Sequence, residues 1–381
     1  MAAYSLPPTL RSGATNPKRL LHWYAVAAAA SVLLLICSGG LVTSHEAGMS
    51  VPDWPNSFGY NMFFFPVSRW VGGVLFEHTH RLIASGVGLL TVALCVALFI
   101  IEERRWVKTL GVIAVAAVVL QGVLGGLRVT ENNALLGLFH GCLAQSFFAL
   151  MATIALVTSR FWEQLERTRI SGNERARTAG NQPITNHQSP ITSRISPLTS
   201  YRRWTIVVTA MVFVQLILGA SMRHSHAGLS ITDFPTSYGQ LFPPLDAASL
   251  ARINEARGAA SQPYTSAALI LLQYVHRLWA FVIVAGLCAT SVRLLRERSL
   301  PMFFRRCASV WMLLVGVQFC LGAWTVLSNK AADIATAHVA CGALTLMLGV
   351  LLAVGLSGLM RYNTNGLSPS GVTRGIELGT V

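Results

Sequence analysis

Residues 39–59 read GGLVTSHEAGMSVPDWPNSFG, and residues 219–239 read GASMRHSHAGLSITDFPTSYG. The two stretches align without a gap and share Gly48 with Gly228, Ser50 with Ser230, Asp53 with Asp233 and Pro55 with Pro235. The correspondence continues downstream, after an insertion in the second copy. His80-Arg81-Leu82 lies over His276-Arg277-Leu278, Gln121 and Gly125 over Gln318 and Gly322, and His140 over His338. An internal duplication therefore sets the architecture, and whatever one copy folds into, the other should fold into as well.

The solvent for this fold is lipid. Over 381 residues, 53% are hydrophobic and only 12% charged, with a mean hydropathy of +0.54; a water-soluble domain has about twice that charged fraction. Apolar runs long enough for a hydrocarbon core of about 30 Å lie near 21–43, 72–99, 108–128, 136–158, 204–222, 266–294, 307–328 and 334–359. The first is too long for the apolar core of a cleaved signal peptide and has a counterpart mid-chain, so it belongs to the fold. The expected class is an all-α polytopic membrane protein. Its eight transmembrane helices form two tandem four-helix bundles related by a pseudo-twofold axis along the membrane normal, because an even number of spans inserts both halves the same way up.

Charge then orients the chain. Twenty-one Lys and Arg residues fall in the N-terminus, the 100–108 loop, the 159–203 segment, the 293–306 loop and the tail, against six in the alternate loops. By the positive-inside rule both termini are cytoplasmic; a bacterial plasma membrane is the expected setting. The net charge of +14 is mostly this topology signal, and no soluble basic face for nucleic acid is visible. The seven cysteines (Cys37, Cys95, Cys142, Cys288, Cys307, Cys320, Cys341) all lie in or beside spans, which implies no structural disulfide. Most of the tryptophans read as an interfacial belt.

The expected organisation is a cytoplasmic N-terminus at 1–20, a first half at 21–160, a linker at 161–203, a second half at 204–360 and a cytoplasmic tail at 361–381. The linker contains QPITNHQSPITSRISPLTS at 182–200, too rich in Ser, Thr and Pro to bury a core, and it is expected to be disordered.

Chemistry concentrates in four histidines near one end of four spans: His80 and His140 in the first half, His276 and His338 in the second. An unpartnered imidazole at membrane depth costs several kcal/mol. Two facing helices with one histidine each can hold haem iron from both sides; a hydrogen bond to a neighbouring helix is the alternative. A zinc site is less suited, since no HxxxH or Cys/His cluster is present. His45, His78, His224 and His226 read as solvent-facing or rim residues. Arg81 and Arg277 follow two of the candidate ligands and need an anion or carbonyl partner at that depth; haem propionates, backbone carbonyls and Asp53 or Asp233 are the options. One turn before His80 stands Glu77, where the second half has Gln273. A carboxylate there can exchange a proton and an amide cannot, so acid/base work belongs to the first half, unless Glu77 serves only to pair with Arg81.

GMSVPDWP at 48–55, FEHTHRL at 76–82, LFHG at 138–141, YVHRL at 274–278 and AHVACGA at 337–343, in this order over eight spans, closely resemble the haem A synthase family of cytochrome oxidase assembly. The resemblance implies oxidation of the C8 methyl of haem O to the formyl of haem A through hydroxylated stages. It implies haem b as cofactor on His276 and His338, haem O as substrate between His80 and His140, and Glu77 as the catalytic group beside the reacting edge. Haem O synthase and an electron acceptor, a quinone or a redox protein, would be the partners, with membrane lipid around the chain and a homo-oligomer left open. The sequence departs from many relatives in one respect: residues 45–71 contain no cysteine, which removes the thiol pair those relatives carry in the first outer loop. A dihaem electron-transfer subunit of cytochrome b type would use both histidine pairs equally, and a transporter would want broken helices and a midplane polar site.

Overall fold

The computed structural model describes residues 16–167 and 191–363. The N-terminal residues, the middle of the expected linker at 168–190 and the end of the tail lie outside the described residues. Eight helices are long and apolar enough to cross a membrane, and the described residues contain no strand, only isolated bridges. The protein is an all-helical, multi-pass integral membrane protein.

In the first half, α1 (Pro17–Ser44) starts where Asn16 accepts the Lys18 amide and Pro17 fits the first turn. Helix α2 (Gly73–Ile101) follows the outer loop and begins after Gly72, whose φ of 56° suits a residue without Cβ. Helix α3 (Arg105–Thr130) and α4 (Ala134–Val157), the latter capped by Asn133, complete the unit. The second half repeats the order with α5 (Ile191–His224), α7 (Ala267–Arg296), α8 (Met302–Leu327) and α9 (Ala332–Asn363). A further helix, α6 (Ala247–Ala259), capped by Asp246, sits in the loop before α7 and has no counterpart in the first half.

Within the first half α1 packs on α2, α2 on α3, α3 on α4 and α4 on α1; in the second, α5 packs on α7, α7 on α8, α8 on α9 and α9 on α5. The halves meet through α1 with α9, α4 with α5 and α4 with α9, a set that maps onto itself when the halves are exchanged. Two apolar cores result, one around Val32, Leu94, Met151 and Ile154 and one around Leu287, Phe304, Trp311 and Leu352. Leu89, Ile100 and Leu313 are exposed and coat the outside with apolar surface, as lipid contact requires.

Both ends of the expected linker at 161–203 are helical. Residues 160–167 are helical, and α5 begins at Ile191. Trp162 is correspondingly buried and lies against Gly358, rather than facing lipid. Its indole N–H donates to Glu166, whose other oxygen accepts from Arg104 at 2.9 Å. Arg104 also holds Glu102 at 2.6 Å and the Val157 carbonyl at 2.9 Å. Burial works to raise the Glu102 pKa, but the Arg104 side chain and amide outweigh it and hold the carboxyl below its ordinary value.

A depressed folded-state pKa contributes stability above the ordinary carboxylate value of about 4.3, and that contribution is lost as pH falls through the lowered value. Arg104→Met leaves Glu102 buried without its cation and should cost on the order of 2 kcal/mol. Unfolding midpoints in detergent, measured against pH, should show a lower plateau and a smaller acid-side loss in the variant than in the wild type.

Candidate functional site

The two repeated loops fold alike. Asp53 accepts the amides of Phe58 at 2.7 Å and Gly59 at 2.8 Å, and Asp233 accepts those of Tyr238 at 2.7 Å and Gly239 at 2.9 Å. Gly59 and Gly239 have φ of 77° and 75°, a region that favours glycine. Burial opposes the charge on both aspartates, but the donated amides prevail and hold both carboxyls below the ordinary range. Each loop closes on itself through a bridge, Ser57 with Tyr60 and Ser237 with Gln240.

Each loop is also tied to the helix that carries the first histidine. Glu77 Oε2 accepts the Val51 amide at 2.8 Å, and Gln273 Oε1 accepts the Ile231 amide at 2.6 Å, the same bond at equivalent positions. Both side chains are buried. Glu77 Oε1 accepts from Arg81 at 2.8 Å. Gln273 spends its amide N–H groups on the Gly228 and Ile231 carbonyls.

The guanidinium groups finish the attachment. Arg81 donates to the carbonyls of Asp53 and Val51 at 2.7 Å and of Asn56 at 3.0 Å. With Glu77 included, four of its five N–H groups are taken by the protein itself. Arg277 donates to Thr236 and Ile231 carbonyls and lies over the Phe234 ring. The backbone links that the sequence offered as one option are thus formed at both positions.

The four histidines sit beneath this frame at corresponding helix positions. His80 and His276 are the eighth and tenth residues of α2 and α7, about 10–14 Å along their helices; His140 and His338 are each the seventh of α4 and α9. His80 is within electrostatic reach of His140, and His276 of His338, so the structure brings together the pairs expected from the sequence. Every one of these rings faces a glycine on a neighbouring helix. A Cβ would stand 3.0 Å from His80 Cε1 at Gly39, 3.0 Å from His140 Cε1 at Gly125, 3.2 Å from His276 Cε1 at Gly219 and 3.0 Å from His338 Cε1 at Gly322.

The ring nitrogens are only partly used. Nδ1 of His80, His276 and His338 is enclosed and has no hydrogen-bond partner. His140 Nδ1 lies 3.1 Å from the Gln121 carbonyl; a carbonyl only accepts, so the proton is on Nδ1 and Nε2 keeps its lone pair. Gln215 and Gln318 place their amide nitrogens 3.2 and 3.3 Å from Nε2 of His276 and His338.

Other expectations need correction. His78 is neither solvent-facing nor at a rim: it is fully buried on α2 between Phe65 and Trp70, with Ser57 Oγ at 3.2 Å from Nδ1. His224 is half-buried against Gly137, while His45 and His226 are exposed as expected. Sequence reading missed the facing glycines Gly39 and Gly219, the contact from Gln215, and the loop-fastening role shared by Glu77 and Gln273. The repeat already paired those last two.

Fold and site together define a multi-pass membrane protein whose two halves each present a histidine pair at one end of a four-helix unit. The sequence pattern of the COX15-CtaA family, cytochrome oxidase assembly proteins, matches residues 70–350. The chain belongs to this family. Among relatives, it is 26% identical over 307 residues to the heme A synthase of Shouchella clausii, covering 79% of this chain and 84% of the relative. It is 23% identical over 371 residues to that of Rhizorhabdus wittichii, covering 89% and 94%, and 26% identical over 229 residues to that of Alkalihalophilus pseudofirmus, covering 59% and 67%.

The residues present fit a haem. Ligating imidazoles need one free nitrogen, a second shell that fixes the other, and no bulk at the ring edge; His140 has all three, and His80, His276 and His338 each have a nitrogen without a partner and a facing glycine. Gly322→Val should displace the His338 ring and lower the haem-to-protein ratio several-fold, read by pyridine haemochrome absorbance. Gly316→Val, on the same helix where a Cβ meets nothing within 4 Å, should leave the ratio unchanged.

Proposed function

We propose that the chain is a haem A synthase, oxidising the C8 methyl of haem O to a formyl group in haem A biosynthesis. The observation that supports this reading best is the pairing of two like histidine sites with one unlike residue: Glu77 stands where the other half has Gln273. A pair of electron-transfer haems gives no reason for that difference. Residues 21–160 would hold haem O between His80 and His140, and residues 204–360 would hold haem b on His276 and His338.

Bound haem b supplies one-electron redox chemistry, with a quinone or redox protein as final acceptor. What the chain itself contributes is placement. The loops at 45–72 and 225–266, fastened by Arg81, Arg277, Glu77 and Gln273, cover the histidine end and restrict water there. Glu77 would accept a proton as substrate or water is activated. Two hydrogen bonds leave lone-pair sites free on a carboxylate, so it can do so without releasing the Val51 amide. The histidine end faces outward in this reading, with both termini in the cytoplasm of a bacterium and haem O supplied by its synthase.

Co-expression with a haem O synthase, followed by chromatography and mass analysis of extracted haems, tests the reading. Haem A is expected only when this chain is present. Bound haem b beside unchanged haem O would indicate an electron carrier instead, and a chain without haem would favour a transporter.

Glu77→Gln separates fastening from proton transfer, because Gln273 shows that an amide oxygen holds the equivalent loop amide. The variant should retain its haem and produce at least tenfold less haem A. Wild-type output would remove Glu77 from the chemistry.

A further inference from the structure

We propose that Arg128, with Arg223 beside it, receives the carboxylate groups of the tetrapyrrole bound between His80 and His140. The proposal rests on the haem reading above. Arg128 lies in the last turn of α3, within electrostatic reach of Glu77, His80 and His140 on one side and of Arg223 and His224 on the other. It is half-buried. Among the described residues its guanidinium makes no ion pair and donates no hydrogen bond.

Glu77 is within electrostatic reach of Arg128 but makes its contacts with the Val51 amide and Arg81, not with Arg128. Arg223 is held to the first half, donating to the Gly40 carbonyl at 2.7 Å and Ser44 Oγ at 2.6 Å. The two guanidinium groups are within electrostatic reach of each other and repel, and neither has a carboxylate in contact.

The duplicate positions carry neutral residues. In the register that places Gln121 over Gln318, Arg128 falls on Thr325; in the register of the repeated loops, Arg223 falls on Thr43. Both threonines are satisfied within their own helices, by the Leu321 carbonyl and by the Gly39 and Gly40 carbonyls. Space for Arg128 is kept by Gly48: a Cβ there would collide with Arg128 Nη2. An Arg pair of this kind suits carboxylates, since each planar guanidinium can hold both oxygens of one carboxylate. A porphyrin carries both its carboxylates on one edge, so a ring ligated by His80 and His140 could bring that edge to the same end of the bundle. A phospholipid phosphate has the same chemistry but no link to the histidines.

The test uses full-length protein made in haem-starved cells, titrated in detergent with iron protoporphyrin and, separately, with its dimethyl ester. The wild type should take up the free acid in two phases. In Arg128→Met one phase should weaken at least tenfold while the other is unchanged, and the penalty for esterification on that phase should vanish. Gly48→Ala, which pushes the guanidinium aside and keeps its charge, should weaken the same phase.

Unchanged uptake in Arg128→Met, or an undiminished ester penalty, overturns the proposal. So does loss of co-purifying anionic lipid with haem uptake intact, which would assign the site to a headgroup. No uptake by the wild type would instead remove the haem reading itself, and the proposal with it.

Discussion

An imidazole placed in an apolar helix bundle must find a partner for each ring nitrogen, because at that depth no water replaces a missing hydrogen bond and the cost is several kcal/mol. The protein meets this requirement four times and each time incompletely, leaving an enclosed nitrogen on His80, His276 and His338 and a bare Nε2 on His140 opposite the Gln121 contact. The glycines opposite the rings follow from the same requirement. Any side chain at Gly39, Gly125, Gly219 or Gly322 would meet the ring edge at 3.0–3.2 Å, so a Cβ there would require the imidazole to shift. Helix packing and ligand geometry are here one constraint, since the glycines that let helices approach also leave room at the imidazole.

The loops over the histidine end depend on a second, polar constraint. Each must bury backbone amides close to the membrane, and each does so by donating them to side chains: Asp53 and Asp233 within the loop, Glu77 and Gln273 from the helix below. An amide donated to a charged acceptor contributes about 1.5–3 kcal/mol and one donated to a neutral acceptor about half that. The first loop is therefore fastened the more firmly of the two. The second compensates by length, with α6 docking its buried Arg257 onto the Leu229 and Pro263 carbonyls.

The spans and the duplication were legible in the sequence, because twenty-residue apolar runs and matched motifs are strong signals that tertiary context seldom overrides. The segments misjudged were those whose burial depends on partners. Residues 160–167 look like polar linker until Trp162 is placed against Gly358 and Glu166 against Arg104. His78 looks like a rim residue until the loop folds its aromatic side chains over it. Helix α6 carries no apolar stripe, and only its Asp246 cap and helix-forming residues announce it. At the candidate site the four histidines and the Glu77/Gln273 difference could be read directly. What could not be read was that Arg81 is consumed by loop carbonyls, since a carbonyl partner leaves no mark in a sequence.

Duplication makes the protein its own control. Features present in both halves, such as the Asp-held loops, the glycines facing the rings and the arginines after His80 and His276, are sufficiently explained by the need to fold twice in lipid. Features in one half only require another cause, and they collect around His80 and His140. Glu77 puts a negative charge where the second half is neutral, and Arg128 and Arg223 put positive charges where the other half has Thr325 and Thr43. Arg81 offsets Glu77 through a direct pair at 2.8 Å, which leaves Arg128 and Arg223 without a protein counter-charge in contact. Half-buried charge of one sign is costly to retain in a membrane protein. The excess is most simply balanced by an anion that is not part of the polypeptide. Since the duplicate positions are Thr325 and Thr43, the histidine pair of the second half has no equivalent of this arginine pair.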